Sequence, residues 1–338
     1  MAIHVEPFEP AWWCQGPHAQ TIWASLLRQR SPLPICRERW ETPDGDFLDI
    51  DRLPAAPGKP VLVVLHGLEG SSASTRVRSF LHAARERGWE GLAVNFRSCG
   101  DGMNRLRRSY HGGETADVAW VIQRAAEGRG RPGMCCVGLS LGGSVLLKHL
   151  GEQGTGAASL VNAAVAISAP FDLSISARAF ERRGFNQIYA SRLLRSLKRK
   201  TRLKLRAYPD LVDRARLAAA RTIAEFDEVV TGPVHGFADA EAYWRAASCA
   251  PFLASIRVPT LLINALDDPV IPPQALPHQL VAGHPFLTAA FTQAGGHVGF
   301  ISGLSPFQPV FWAERLAMTF CARYVAAPCL RKDPASNS

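Results

Sequence analysis

No stretch of about eighteen consecutive apolar residues occurs in this chain of 338 residues, so no membrane-crossing helix is expected. The opening residues MAIHVEPFEP carry glutamates and prolines where a secretory signal needs a basic start and an apolar run. A cytoplasmic location is therefore the expectation. No C-x-x-C spacing groups the eight cysteines, and the one adjacent pair, Cys135 and Cys136, lies in a run that reads as a buried strand. Reduced thiols are expected, rather than a disulfide framework or a zinc site. No H-E-x-x-H or similar ligand spacing occurs, so the sequence requires no metal. No helix-turn-helix, zinc-finger or RNA-binding signature accompanies the formal net charge of +9, so an arginine-rich surface is expected and a nucleic-acid partner is not.

What is present suits a large buried core. Hydrophobic residues make up 47% of the chain, and one large α/β domain is the first expectation. The densest basic run is RLLRSLKRKTRLKLR, Arg192–Arg206, whose leucines 193, 194, 197, 203 and 205 give it a partly apolar side. It reads as a solvated helical face over the core, with peripheral contact to an anionic membrane surface as the alternative.

The order of elements narrows the fold. CRERWETPDG and DFLDIDRL read as a hairpin around Asp44-Gly45. PVLVVLHG, GLAVNF, MCCV, AAVAISAP, PTLLINA and PFLTAAFTQ read as further strands, with helices expected over Thr75–Arg87, Thr115–Glu127 and Ser144–Leu150. Strand alternating with helix predicts a mostly parallel sheet covered on both faces. Residues 171–248 break the alternation: they are basic, helical in pattern and free of convincing strands. An insertion at the C-terminal edge of such a sheet lies over the site its strand ends create. The expected division is thus an N-terminal extension (1–35), a core (36–170 and 249–325), a helical cap insertion (171–248) and a flexible tail (326–338).

The chemistry-bearing pattern is Gly138-Leu139-Ser140-Leu141-Gly142, where a buried strand enters a helix almost without a connection. Such a turn lifts the serine hydroxyl above the sheet and aims backbone N–H groups at it, and flanking glycines keep side chains clear. A serine nucleophile needs a base, and the base needs an orienting acid. Asp267 and Asp268 follow the strand PTLLI, and His297 stands in the glycine-flanked loop QAGGHVGF after the last strand. The order Ser140, aspartate, His297 is the one this fold uses. Asp268 is preferred because it leaves the strand in DPVIP, with Asp267 left to cap or brace the turn. Oxyanion donors are expected from the N–H groups of Leu141 and Leu68, and His66 is read as a brace for the loop after VVLHG.

The segments HGLEGSS, NFRSCGDGMNRLRRSYHGGETAD, GLSLGGSVLLKHLGE, AISAPFDL, FDEVVTGPVHGFADAEAYW, LINALDDP and GGHVGFISG, with GPHAQTIWASLL nearer the N-terminus, resemble the YheT-like branch of the α/β-hydrolase superfamily over about residues 10–320. The resemblance implies the α/β-hydrolase fold, a Ser140–Asp268–His297 triad, no cofactor, and hydrolysis of carboxylic esters. Acylglycerols or short-to-medium acyl esters are the implied substrates. Ser144 departs from the branch, where asparagine is frequent; little consequence is expected. An ester-forming acyltransferase would use the same residues, and a non-catalytic protein binding anionic surfaces is the alternative of a different class. A carboxylate nucleophile, as in dehalogenases and epoxide hydrolases of this fold, is excluded by Ser140. Part of the face made by RLLRSL and the aromatics Phe180, Phe185 and Tyr189 is expected to line an acyl pocket, with packing on the core as the alternative.

Overall fold

The computed structural model describes residues 6–28, 32–127, 133–182 and 184–325; the expected tail, 326–338, lies outside them. Helix α1 (Pro17–Leu26) precedes the hairpin β1 (Cys36–Glu41) and β2 (Phe47–Leu53). Gly45 takes the positive φ of 80° that the tight turn between them requires. Directly opposed pairs Arg37–Asp51 and Arg39–Asp49 bind the hairpin side chain to side chain. The chain continues through β3 (Val61–Leu65), α2 (Thr75–Glu86), β4 (Glu90–Asn95), α3 (Thr115–Ala126), β5 (Met134–Leu139), α4 (Leu141–Gln153), α5 (Thr155–Ala158) and β6 (Ala163–Ile167). Helix α4 starts three residues earlier than Ser144, directly after the tight turn.

Six helices then follow without a strand: α6 (Leu173–Ala179), α7 (Phe185–Ala207), α8 (Arg214–Ala219), α9 (Ile223–Phe226), α10 (Gly232–Val234) and α11 (Ala240–Ala247). The sheet resumes with β7 (Thr260–Ala265), α12 (His278–Ala282) and β8 (Leu287–Thr292). A short hairpin, β9 (Ile301–Ser302) with β10 (Val310–Phe311), leads into α13 (Trp312–Val325). The eight-stranded sheet has the order β1-β2-β4-β3-β5-β6-β7-β8, and it is parallel from β4 onward.

Strand periodicity feeds two cores. Val61, Val63 and Leu65 of β3 join the side packed by α3 and α4, while Leu62 and Val64 join the side packed by α2 and α13. A third, smaller cluster lies wholly within the helical segment: Leu194, Leu205, Leu217, Ile223, Phe226 and Val230. Local signals explain its short helices. The carboxylates of Asp172, Asp213 and Asp239 accept N–H groups at the starts of α6, α8 and α11, and Thr222 with Glu225 forms a capping box at α9. A π-turn, Asp227–Thr231, joins α9 to α10. Within it Asp227 is buried, accepting from Thr231 Oγ1 at 2.6 Å and Trp244 Nε1 at 2.8 Å. No helix among the described residues is long and apolar enough to cross a membrane. The seven cysteines among them are all free, six of them buried.

Helix α1 is fastened to the far end of the chain. Gln20 is fully buried; its Nε2 donates to the carbonyls of Cys14 (2.7 Å) and Ile301 (3.0 Å), and its Oε1 accepts the Ile301 N–H (2.6 Å). Gln20→Leu would leave the Cys14 carbonyl and the Ile301 N–H without partners, while the Ile301 carbonyl keeps the Ala11 N–H. Chemical denaturation should show a loss of roughly 2 kcal/mol, since each such group costs about 1 kcal/mol or more.

Asp227 generates a pH prediction. Burial pushes its carboxyl from 3.8 up to about 6. A raised native value means that Asp227's contribution is fully present at low pH and is lost as pH rises through about 6. Asp227→Asn removes that dependence. Between pH 4 and 7.5 the variant should therefore lose less stability than the wild type, by up to about 3 kcal/mol. Parallel pH slopes in denaturant unfolding would show that this carboxyl does not ionise on unfolding in that range.

Candidate active site

Ser140 stands between the end of β5 and the first residue of α4 with φ 50° and ψ −121°, a conformation strained for any residue with a side chain. The strain is held by its surroundings. Its N–H donates to the Ile167 carbonyl at 2.8 Å, and its own carbonyl accepts from Gly143 and Ser144. The flanking glycines are there for space. A methyl group on Gly138 would lie 2.5 Å from the Gly142 carbonyl oxygen, and one on Gly142 would lie 2.5 Å from that of His66. The turn after β3 presses on the same spot, for a methyl group on Gly67 would meet Ser140 Cβ at 3.1 Å.

Ser140 is the first member of an unbroken hydrogen-bonded line. Its Oγ lies 2.9 Å from His297 Nε2, and His297 Nδ1 lies 2.9 Å and 3.2 Å from the two oxygens of Asp268. The Asp268 side chain is fully buried. Its Oδ1 also accepts the N–H groups of Val270 (2.8 Å) and Ile271 (3.1 Å), so the turn DPVI fixes the carboxylate plane. Asp267 faces elsewhere: its Oδ1 accepts the Gly296 N–H at 2.9 Å, one residue before His297, and burial raises its carboxyl above the usual range. Of the two adjacent carboxylates, one thus contacts the imidazole and the other braces the loop that carries it.

Leu68 and Leu141 both border the cavity at Ser140, and neither backbone N–H meets an acceptor among the described residues. His66 is buried with both ring nitrogens engaged. Nδ1 donates to the Gly67 carbonyl at 2.7 Å, and Nε2 accepts the Phe96 N–H at 3.2 Å. Burial lowers its basicity to about 4, so it stays neutral and ties β4 to the turn after β3.

Sequence reasoning missed what positions the histidine loop. The His297 N–H donates to Thr21 Oγ1 of α1 at 2.9 Å, and the Val298 N–H donates to Ser168 Oγ at 2.9 Å. Arg76 of α2 reaches the carbonyls of Val298 and Thr21 together. A methyl group on Gly296 would stand 2.3 Å from the Pro17 carbonyl oxygen, so α1 lies flush against the loop. The available signal was Gln20-Thr21, adjacent uncharged polar residues in a largely apolar helix.

The cavity has two unlike walls. Leu173, Ala177, Phe180, Leu197, Ile223 and Phe226 supply an apolar one from α6, α7 and α9. Glu69, Ser109, Lys200 and Lys204 supply a polar one, with Lys200 paired to Glu69 (2.9 Å) and Lys204 held by Asn104 and the Arg108 carbonyl (2.7 Å each). The loop after β4 that contributes to this wall is anchored by Arg97, which is buried against Asp44, Asp46 and Asp117. Of the face expected to contribute in part to the pocket, Phe180 and Leu197 line it. Phe185 stacks on His18 of α1 at 4.6 Å, and the Tyr189 hydroxyl bonds that ring's Nδ1, because the first turns of α7 extend past the cavity.

Comparison with known proteins agrees with this architecture. A family model for the alpha/beta hydrolase fold matches residues 60–301. The chain is 40% identical over 321 residues to YheT of Escherichia coli (strain K12), covering 92% of this chain and 91% of that protein. It is 30% identical over 276 residues to the monoacylglycerol lipase of Saccharomyces cerevisiae, covering 80% and 60% of the two chains. Identity to human phospholipase ABHD3 is 26% over 318 residues, covering 91% and 77%. Among solved structures, the esterase Pf2001 of Pyrococcus furiosus is similar with a TM-score of 0.56 at 15% identity, covering 94% of this chain and 99% of that one, a likeness of fold. By its sheet, its Gly-x-Ser-x-Gly turn and these matches, the chain belongs to the α/β-hydrolase family, in the branch of YheT.

Proposed function

We propose that the protein is a serine hydrolase that cleaves carboxylic esters, acylglycerols or short-to-medium acyl esters, through an acyl-serine intermediate. The observation that carries the reading is the unbroken line Ser140–His297–Asp268 at a cavity with one apolar wall and two unmatched backbone N–H groups. A monoacylglycerol lipase and a phospholipase among the relatives support the substrate class.

In this reading His297 Nε2 takes the hydroxyl proton as Ser140 Oγ bonds to the ester carbonyl carbon. Asp268 holds the imidazole with Nδ1–H towards itself and stabilises the imidazolium that forms. The N–H groups of Leu68 and Leu141 receive the charge that develops on the carbonyl oxygen. The C–O bond to the alcohol then breaks, and His297 returns its proton to the leaving oxygen. Water enters, gives a proton to the same nitrogen, attacks the acyl carbon, and the acid departs as Ser140 regains its hydrogen. No cofactor enters these steps. Helices α6–α11, residues 171–248, act as a cap over a core formed by 36–170 and 249–325, a division supported by the cap's separate apolar cluster. The small ester enters between cap and core, and no nucleic acid takes part.

Ser140→Ala should abolish labelling by a fluorophosphonate probe and lower ester turnover by three to six decades, roughly the cost of losing a triad member. Full labelling of that variant would sink the assignment. The neighbouring aspartates should separate cleanly: Asp268→Asn should cost about four decades in kcat, and Asp267→Asn far less. The reverse ranking would place the orienting role on Asp267.

The apolar wall generates a specificity prediction. Each methylene buried contributes about 0.8 kcal/mol, so four added methylenes should raise kcat/KM by about two decades before the cavity fills. Esters from acetate to decanoate, assayed below their micelle limits, should show that rise. A flat profile, or a maximum at acetate, would replace the acylglycerol reading with a short-chain esterase.

A further inference from the structure

The outward side of α7 carries a pattern that the cavity does not use. Phe185, Ile188, Arg192, Arg195, Arg199, Arg202 and Arg206 recur at alternating intervals of three and four residues, which sets them in one stripe along the helix. All seven are exposed, Phe185 by 51% and Ile188 by 61%. The five arginine side chains make no hydrogen bond or ion pair among the described residues, whereas exposed Arg105, Arg107, Arg178 and Arg315 each meet a carboxylate. Helix α7 contains no aspartate or glutamate. Its other side is spent inward: Leu194 and Leu205 are buried, and Leu197, Lys200, Thr201 and Lys204 line the cavity.

The stripe's apolar end adjoins a second exposed apolar surface. Phe185 stacks on His18 of α1, and α1 exposes Ile22, Trp23 and Leu26 by 38%, 47% and 57%. Burying these side chains in the protein would have been the ordinary outcome; here they stay in contact with solvent beside a row of uncompensated charge.

We propose that this face docks the protein on the surface of an anionic phospholipid bilayer. The arginines span roughly 21 Å at 1.5 Å per residue and sit over lipid headgroups, while Phe185, Ile188 and Ile22, which follows His18 by four residues on α1, enter the interface at one end. The apolar end decides between polyanions. A nucleic acid would satisfy the arginines and leave those side chains in water, whereas a bilayer takes both. With α7's inner side on the cavity, the docked helix also holds the cavity next to the lipid. The proposal concerns the surface alone and stands whether or not the ester reading holds.

The test is co-sedimentation of the full chain with extruded vesicles of phosphatidylcholine, alone or with about one-third phosphatidylglycerol. Binding should favour the anionic vesicles by at least tenfold and weaken as salt is raised. Arg195→Gln with Arg202→Gln should reduce it about 25-fold, roughly fivefold per charge. Phe185→Ser with Ile188→Ser should lower it several-fold at every salt concentration and leave binding to a single-stranded RNA oligonucleotide unchanged. Thermal unfolding monitored by circular dichroism establishes that both variants are folded. Equal binding to the two vesicle types, or wild-type affinity in the folded arginine variant, would overturn the proposal. So would RNA binding tighter than vesicle binding together with no effect of the Phe185/Ile188 change, which would make the face a nucleic-acid surface.

Discussion

Three backbones converge where β3 and β5 end, and the space between them admits no side chain. Gly138 and Gly142 leave room for the carbonyls of Gly142 and His66, and Gly67 packs on Ser140 itself. Ser140 adopts its positive φ because both neighbours over-determine it, and not from any preference of its own. The remaining geometry follows from this contact. Helix α4 begins at Leu141, which borders the cavity together with Ser140, and the turn after β3 brings Leu68 to the same cavity. Relieving the crowding would relax the turn and shift Ser140 relative to Leu68 and Leu141.

The polar side of the cavity is organised by a different force. Arg97 is taken out of water against three aspartates, with Asn104 and the Arg105 N–H completing the shell of Asp46. Such a cluster carries a desolvation cost that offsets much of its attraction, so its net contribution to stability is modest. Its effect is geometric. It ties the hairpin, the start of α3 and the long loop after β4 into one unit, and that loop carries Ser109, Tyr110 and Gly112 to the cavity.

The sheet, and the three separated residues of the candidate site that the structure brings into hydrogen-bond contact, were legible because each follows a strand end, where continuous apolar runs stop at glycine or aspartate. Ser140, Asp268 and His297 come from three parallel strands whose C-terminal ends share one edge, and that rule needs no structure. That Asp268 rather than Asp267 meets His297 agrees with the turn residues that follow it. Which part of the cap face meets the cavity was not legible in the sequence. Aromatic content at Phe185 and Tyr189 says that a helix has something to cover, and it does not say what; here the cover is His18. The hold of α1 on the histidine loop was illegible for another reason: it is made of single hydrogen bonds between distant segments, which leave no periodic trace.

That hold has a consequence for how the molecule comes into being. The Thr21–His297 and Gln20–Ile301 bonds close loops of 276 and 281 residues. Most of the sheet can pair as it leaves the ribosome, each strand finding a neighbour already made. The site cannot be assembled in that order. Its first helix must wait, with Gln20 and its apolar surface unsatisfied, until residues 297–301 have been translated. Translation of that loop therefore completes the Ser140–His297–Asp268 line and locks α1 in a single late event.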